Sequence, residues 1–117
     1  MRNEIRPLEI LEINFYFPTQ AKYLPHPALV ISTAELFEEE EMFYAVLLSS
    51  KNLLPQYTIA IKPEWLNKPE QAKGYFVTHM VSICSMRDVS RRSNTFLRSQ
   101  YFDLVKAKVI SSIFYNG

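Results

Sequence analysis

The hydropathy pattern changes period once along this chain, and that change bounds what it can fold into. Up to residue 83 the apolar residues come in short runs, several of them alternating with polar neighbours, as half-buried strands do. Beyond residue 96, Leu97, Tyr101, Leu104, Val105, Val109 and Ile113 recur at three- and four-residue spacing, with Phe102 beside the stripe. That spacing predicts an amphipathic helix with Ser99 as its N-cap, Asp103 near its start, and Lys106 and Lys108 farther along the dipole. Five strands are expected before it. Leu8 to Phe17 sets Ile13, Phe15 and Phe17 against Glu12, Asn14 and Tyr16. Residues 18–27 hold Pro18, Pro25 and Pro27, which forbid helix and keep the chain extended or turned. Ala28 to Ile31 is uniformly apolar, as in a strand buried on both faces. A polar connection with one helical turn at Ala34–Phe37 leads to a third strand, Phe43 to Leu48. Tyr57, Ile59 and Ile61 alternate with Thr58, Ala60 and Lys62 to mark the fourth. The fifth, Tyr75 to Ile83, places Tyr75, Val77, His79, Val81 and Ile83 on one face. Residues 84–96 read as a polar segment leading to the helix. Short strands followed by one helix suit a small twisted β-barrel, because closure removes exposed sheet edges.

Composition excludes several classes. With 117 residues and 48% hydrophobic content, the chain has the size of one domain, spanning 1–117, with core enough to fold. Only Gly74 and Gly117 are present, so no glycine-rich phosphate cradle of the dinucleotide or Walker type exists. No window approaches the ~20 apolar residues of a spanning helix, and MRNEIRPLEIL does not read as a signal peptide. Cys84 is the sole cysteine. It reads as a small core or edge residue, offers no disulfide or zinc cluster, and fits a reducing cytoplasm. His26 and His79 are the only histidines and lack metal-ligand spacing, so no metal or cofactor is expected.

The formal charge of +1 hides an asymmetry. Residues 1–58 carry four bases and eight acids, five of them within Glu35–Glu41; residues 59–117 carry nine bases and four acids. Arg87, Arg91, Arg92 and Arg98 cluster in the basic half, which points to an anionic partner unless they line a solvated loop. The glutamate run belongs outside any groove that admits a polyanion.

Four segments, Asn14-Phe15-Tyr16-Phe17-Pro18-Thr19, His26-Pro27-Ala28-Leu29-Val30-Ile31-Ser32, Ala45-Val46-Leu47-Leu48-Ser49-Ser50-Lys51 and Leu104-Val105-Lys106-Ala107-Lys108-Val109-Ile110, occur in the order and spacing of a known family. Together with Gly74–Ile83 they make the chain resemble the MazF/PemK family of bacterial toxins. The resemblance implies a small SH3-like barrel of five to seven strands and a metal-independent endoribonuclease, or mRNA interferase, acting on single-stranded RNA. It also implies a homodimer and a cognate antitoxin partner. His26 stands where the family has the arginine of its Arg-Pro-Ala motif, Ser49 where it has a threonine or serine at the end of the third strand, and His79 and Met80 where it has Asp and Gln.

Metal-free RNA cleavage needs a base for the 2′-OH proton, an acid for the leaving 5′-oxygen, and support for the charged phosphorane. Histidine, unperturbed pKa about 6.5, fills either proton role near neutrality. By the resemblance, His26 and His79 map onto the family's active face with Lys51 and Ser49 beside them. That implies a catalytic set of His26 as base or acid, His79 as its partner, Lys51 on the phosphate and Ser49 as a donor. Thr19, Ser50, Arg87, Arg91 and Arg92 are expected to contact RNA. The plainer reading makes His26 a constrained loop residue between two prolines and His79 a core histidine. Two other functions fit the same fold: a binding module without catalysis, and a CcdB-like gyrase poison, which the ending Ile113-Phe114-Tyr115-Asn116-Gly117 loosely resembles.

Overall fold

A computed structural model describes residues 4–52 and 54–116. Six strands form one antiparallel sheet: β1 (Glu9–Phe17), β2 (Lys22–Val30), β3 (Met42–Ser49), β4 (Thr58–Ala60), β5 (Tyr75–Ser85) and β6 (Val89–Phe96), in the order β4-β5-β3-β2-β1-β6. Helix α1 (Ala34–Glu40) links β2 to β3, and α2 (Phe102–Ile113) ends the fold. The architecture is thus mainly β with a C-terminal helix, as the sequence implies. Among the described residues the sheet does not close as a barrel: β4 and β6 stand at opposite ends of the order. The segment 65–68 lies along β6 instead. Asn67 N–H donates to Phe96 O at 3.1 Å, Phe96 N–H to Asn67 Oδ1 at 2.7 Å, and Arg98 N–H to Trp65 O at 2.7 Å. Lys68 Nζ adds a bond to the Ser93 carbonyl.

Both faces of the sheet are covered. Leu11, Ile13, Phe15, Ala28, Val30, Phe43, Ala45 and Leu47 form one core cluster with Ile5 and Cys84. Ile10, Leu29, Val46, Leu48 and Phe76 form the other with Trp65, Leu66, Leu97 and the α2 residues Val105 and Val109. Alternate residues of each central strand feed opposite cores, so Ala28–Val30 and Ala45–Leu48 are buried without a break.

The structure corrects six local expectations. Strand β2 begins at Lys22 and carries Pro25 and Pro27 within it. This half pairs with β1 alone, since β3 joins only at Ala28–Val30, and an edge tolerates proline. Residues 89–96 form β6, paired with β1. In β5, Val46 faces Val81 while Leu47 faces Val77, so Thr78, His79 and Met80 bulge out of the ladder. The bulge breaks the alternation: Val77 packs against one core and Val81 against the other. Ser99 opens a 3₁₀ turn instead of capping α2, whose N-cap is Tyr101, and the last turn of α2 holds no base. Leu104 and Ile113, assigned by spacing to the buried stripe, are about half exposed. Helix α1 runs one turn longer than its apolar residues suggest. Thr33 Oγ1 caps Leu36 N–H at 3.1 Å, and Glu41 closes its end at a φ of 56°.

Candidate functional site

A cavity of about 600 Å³ lies where the end of β3, the loop before β5, and the middles of β1 and β6 converge. The turn after β3 supplies Ser49, Ser50 and Lys51, and β2 supplies His26 and Pro27. Gln71 and Lys73 come from the loop, Glu12 from β1, and Arg91, Ser93 and Thr95 from β6, over a floor of Ile10, Leu11 and Leu48. Three cations, Lys51, Lys73 and Arg91, thus share a concave surface with one carboxylate, which concentrates positive potential where an anion would sit.

Backbone chemistry fixes the Ser49–Lys51 turn. Ser49 Oγ accepts the Lys51 N–H at 3.2 Å. Beneath it, Gly74 has a φ of +82°, and a Cβ there would stand 2.2 Å from the Ser49 carbonyl oxygen. Only a residue without a side chain lets the start of β5 approach the end of β3 this closely. On the opposite wall, Glu12 lies in register with both Pro27 and Arg91. Its Oε1 accepts from Ser90 Oγ at 2.8 Å. Ser90 is the extra residue of a bulge, because Glu12 faces Arg91 while Ile13 faces Val89. That bulge brings its hydroxyl round to the carboxylate.

Of the residues singled out from sequence, His26, Ser49, Ser50, Lys51 and Arg91 meet at this cavity. The imidazole of His26 packs edge-on to Phe17, with ring centroids 5.3 Å apart. His79 does not line the cavity. It sits in the β5 bulge with its ring 4.5 Å from Tyr57, and its Nδ1 is buried without a hydrogen-bond partner. The geometry therefore does not bring the two histidines together. Arg92 is committed elsewhere: its Nε and Nη2 each donate at 2.7 Å to the carboxylate of the fully buried Glu9, and Nη2 reaches Glu4 O at 2.9 Å. Thr19 is exposed in the β1–β2 turn, and Arg87 borders a second depression; neither lines the cavity. Burial pushes the Cys84 thiol up to about 11, leaving it protonated and a poor nucleophile near neutrality. Sequence reasoning missed Glu12 and Lys73. Each is an isolated charge on an ordinary strand or loop, and only the fold shows that they face the same space.

No helix among the described residues is long and apolar enough to cross a membrane. No protein-family profile matches the chain, and no curated protein matches it by sequence. Solved structures do match it along almost its whole length. MazF from Deinococcus radiodurans superimposes with a TM-score of 0.73 at 14% identity, covering 94% of this chain and 96% of that one. An endoribonuclease from a mycobacterial species gives a TM-score of 0.74 at 11% identity, covering 97% and 94%. A MazE–MazF complex from D. radiodurans gives 0.70 at 14% identity, covering 98% and 100%. By these superpositions along almost its whole length, the chain has the fold of the MazF toxins.

Proposed function

We propose that this chain is the toxin of a toxin–antitoxin pair and a metal-independent endoribonuclease that cuts single-stranded RNA. The observation that carries the reading is the cavity itself, in which Lys51, Lys73 and Arg91 surround Ser49, His26 and Glu12 on this fold. The three cations hold the scissile phosphate. Glu12 takes the proton of the ribose 2′-OH, whose oxygen attacks phosphorus as the bond to the 5′-oxygen breaks. His26 returns a proton to that leaving oxygen, and the products are a 2′,3′-cyclic phosphate and a 5′-hydroxyl. Charge building on the phosphorane oxygens meets Lys51, Arg91 and the Ser49 hydroxyl. Glu12 thereby takes the role that the resemblance gives to His79, which lies outside the cavity. Ser50 and Arg87 extend the contacts to RNA.

An antitoxin and a second copy of the chain are the protein partners in this reading, placed in the cytoplasm. Leu104, Ile110, Ile113, Phe114 and Tyr115 leave apolar surface exposed along and beyond α2, and that surface suits a protein interface. The test is incubation of the purified protein with single-stranded RNA in excess chelator. Cleavage to cyclic phosphate ends is expected, and Lys51→Ala or Arg91→Ala should slow it by at least about ten-fold through loss of a charged contact to the phosphate. Intact RNA at stoichiometric enzyme would refute the enzyme reading; retained RNA binding would then favour a non-catalytic module. The exposed Phe114 (65%) and Tyr115 (95%) favour the gyrase reading. A supercoiling assay decides it, since removal of residues 114–117 abolishes gyrase poisoning and spares a ribonuclease.

A further inference from the structure

The β1–β2 hairpin presents a row of side chains that leads away from the cavity. Glu12, Asn14 and Tyr16 share one face of β1 by the period of the strand, opposite Pro27, Pro25 and Tyr23 of β2. The first pair lines the cavity. The last pair is aromatic: Tyr16 and Tyr23 lie 4.9 Å apart, tilted by 51°, and are 38% and 62% exposed. Neither belongs to a core cluster or supports the fold from within. Beside them a second depression of about 610 Å³ is bordered by Asn14, Tyr23, Ile83 and Arg87. Four residue steps along the strand separate Glu12 from Tyr16, about 13 Å.

We propose that Tyr16 and Tyr23 form a stacking platform for an unpaired nucleobase of the RNA strand whose phosphate occupies the cavity. The proposal rests on the ribonuclease reading and adds a base subsite to it. Exposed aromatic faces beside cationic groups are how proteins hold single strands without reading every base, because each base offers a π-face. Arg87 supplies a cation at this end, next to an Asp88 carboxylate that accepts the Ser85 N–H at 2.8 Å, and Lys51, Lys73 and Arg91 supply three at the other. The Asn14 amide, between them, offers both a donor and an acceptor to a base edge. The prolines at 25 and 27 stiffen the opposite strand, so the platform holds its geometry before a ligand arrives.

The probe is a short, fluorescently labelled 2′-O-methyl oligoribonucleotide of mixed sequence, which binds but cannot be cleaved by 2′-oxygen attack. Tyr16→Ala and Tyr23→Ala should each weaken its binding roughly ten-fold, the loss expected for one stacked base. Tyr16→Phe and Tyr23→Phe should restore it, since stacking needs the ring and not the hydroxyl. The slope of affinity against salt should stay unchanged in the tyrosine variants and fall in Lys51→Ala, which loses a phosphate contact. An oligonucleotide with one abasic position at the platform should bind the wild type as weakly as the alanine variants bind the intact strand. If Lys51→Ala weakens binding while both alanine variants bind as tightly as wild type, the platform is wrong and the ribonuclease reading stands. No binding by the wild type would remove both.

Discussion

Gly74→Ala should damage stability and activity together, and the structure allows both effects to be sized. At a φ of +82° an L-residue bears a cost of roughly 1–2 kcal/mol that glycine does not. The new Cβ would also stand 2.2 Å from the Ser49 carbonyl oxygen, 2.9 Å from its carbon and 3.0 Å from Ser50 Cα, all backbone atoms. Restoring van der Waals contact requires a shift of about 1 Å between the end of β3 and the start of β5. Together these predict a loss of about 2–4 kcal/mol. For a domain of this size that lowers the melting temperature by roughly 10 °C. The same shift moves the Ser49–Lys51 turn, and a displacement of about 1 Å at a reacting site costs as much as ~100-fold in rate. Thermal unfolding by circular dichroism gives the first number, and RNA cleavage well below the variant's melting temperature gives the second. An unchanged melting temperature would refute the steric reasoning. A lower one with an unchanged rate would show that the turn does not position the chemistry.

Four further outcomes are expected. Arg92→Met strands the buried Glu9 carboxylate and should cost about 3–5 kcal/mol in urea unfolding; adding Glu9→Gln should recover much of it, and no recovery would deny the pairing its role. Because burial raises the Cys84 thiol from 9.0 to about 11, the protonated thiol favours the folded state below pH 9 and that contribution is lost as pH rises from about 9 to 11. Cys84→Ala should flatten the fall in stability over that window, and the wild-type thiol should resist alkylation at pH 8 until the chain is unfolded. His26→Ala should slow RNA cleavage by at least about ten-fold. His79→Leu, which removes an unpartnered buried nitrogen, should alter melting temperature more than rate; the reverse order would restore His79 to the chemistry.

What the sequence made legible follows from periodicity. Strands β1, β3, β4 and β5 and helix α2 each announce themselves through apolar spacing. Strand β6 does not, because VSRRSNTF is polar on both faces and its ladder to β1 shifts register twice, at Ile10/Leu11 and at Glu12/Ile13. Asn94, at a φ of 56°, absorbs one of these irregularities. Edge chemistry favours barrel closure, yet the segment 65–68 protects β6 with side-chain and main-chain bonds instead of a seventh strand. The site divides the same way. Ser49, Ser50 and Lys51 follow one strand's end, so spacing alone groups them. His79 leaves the face that strand alternation assigns to it because three bulged residues in β5 reverse the facing of everything beyond Val77, and no composition signal marks a bulge.

The segment that joins the two ends of the open sheet also holds the chain's single tryptophan. Trp65 is 5% exposed, stacks on Tyr101 at 5.4 Å, and its carbonyl accepts from Arg98 just past β6. Its indole is therefore an intrinsic optical reporter of whether those ends are docked. The cavity draws on residues from Ile10 to Thr95, so it exists only while they are. Loss of activity and the red shift of Trp65 emission should then follow a single denaturation curve.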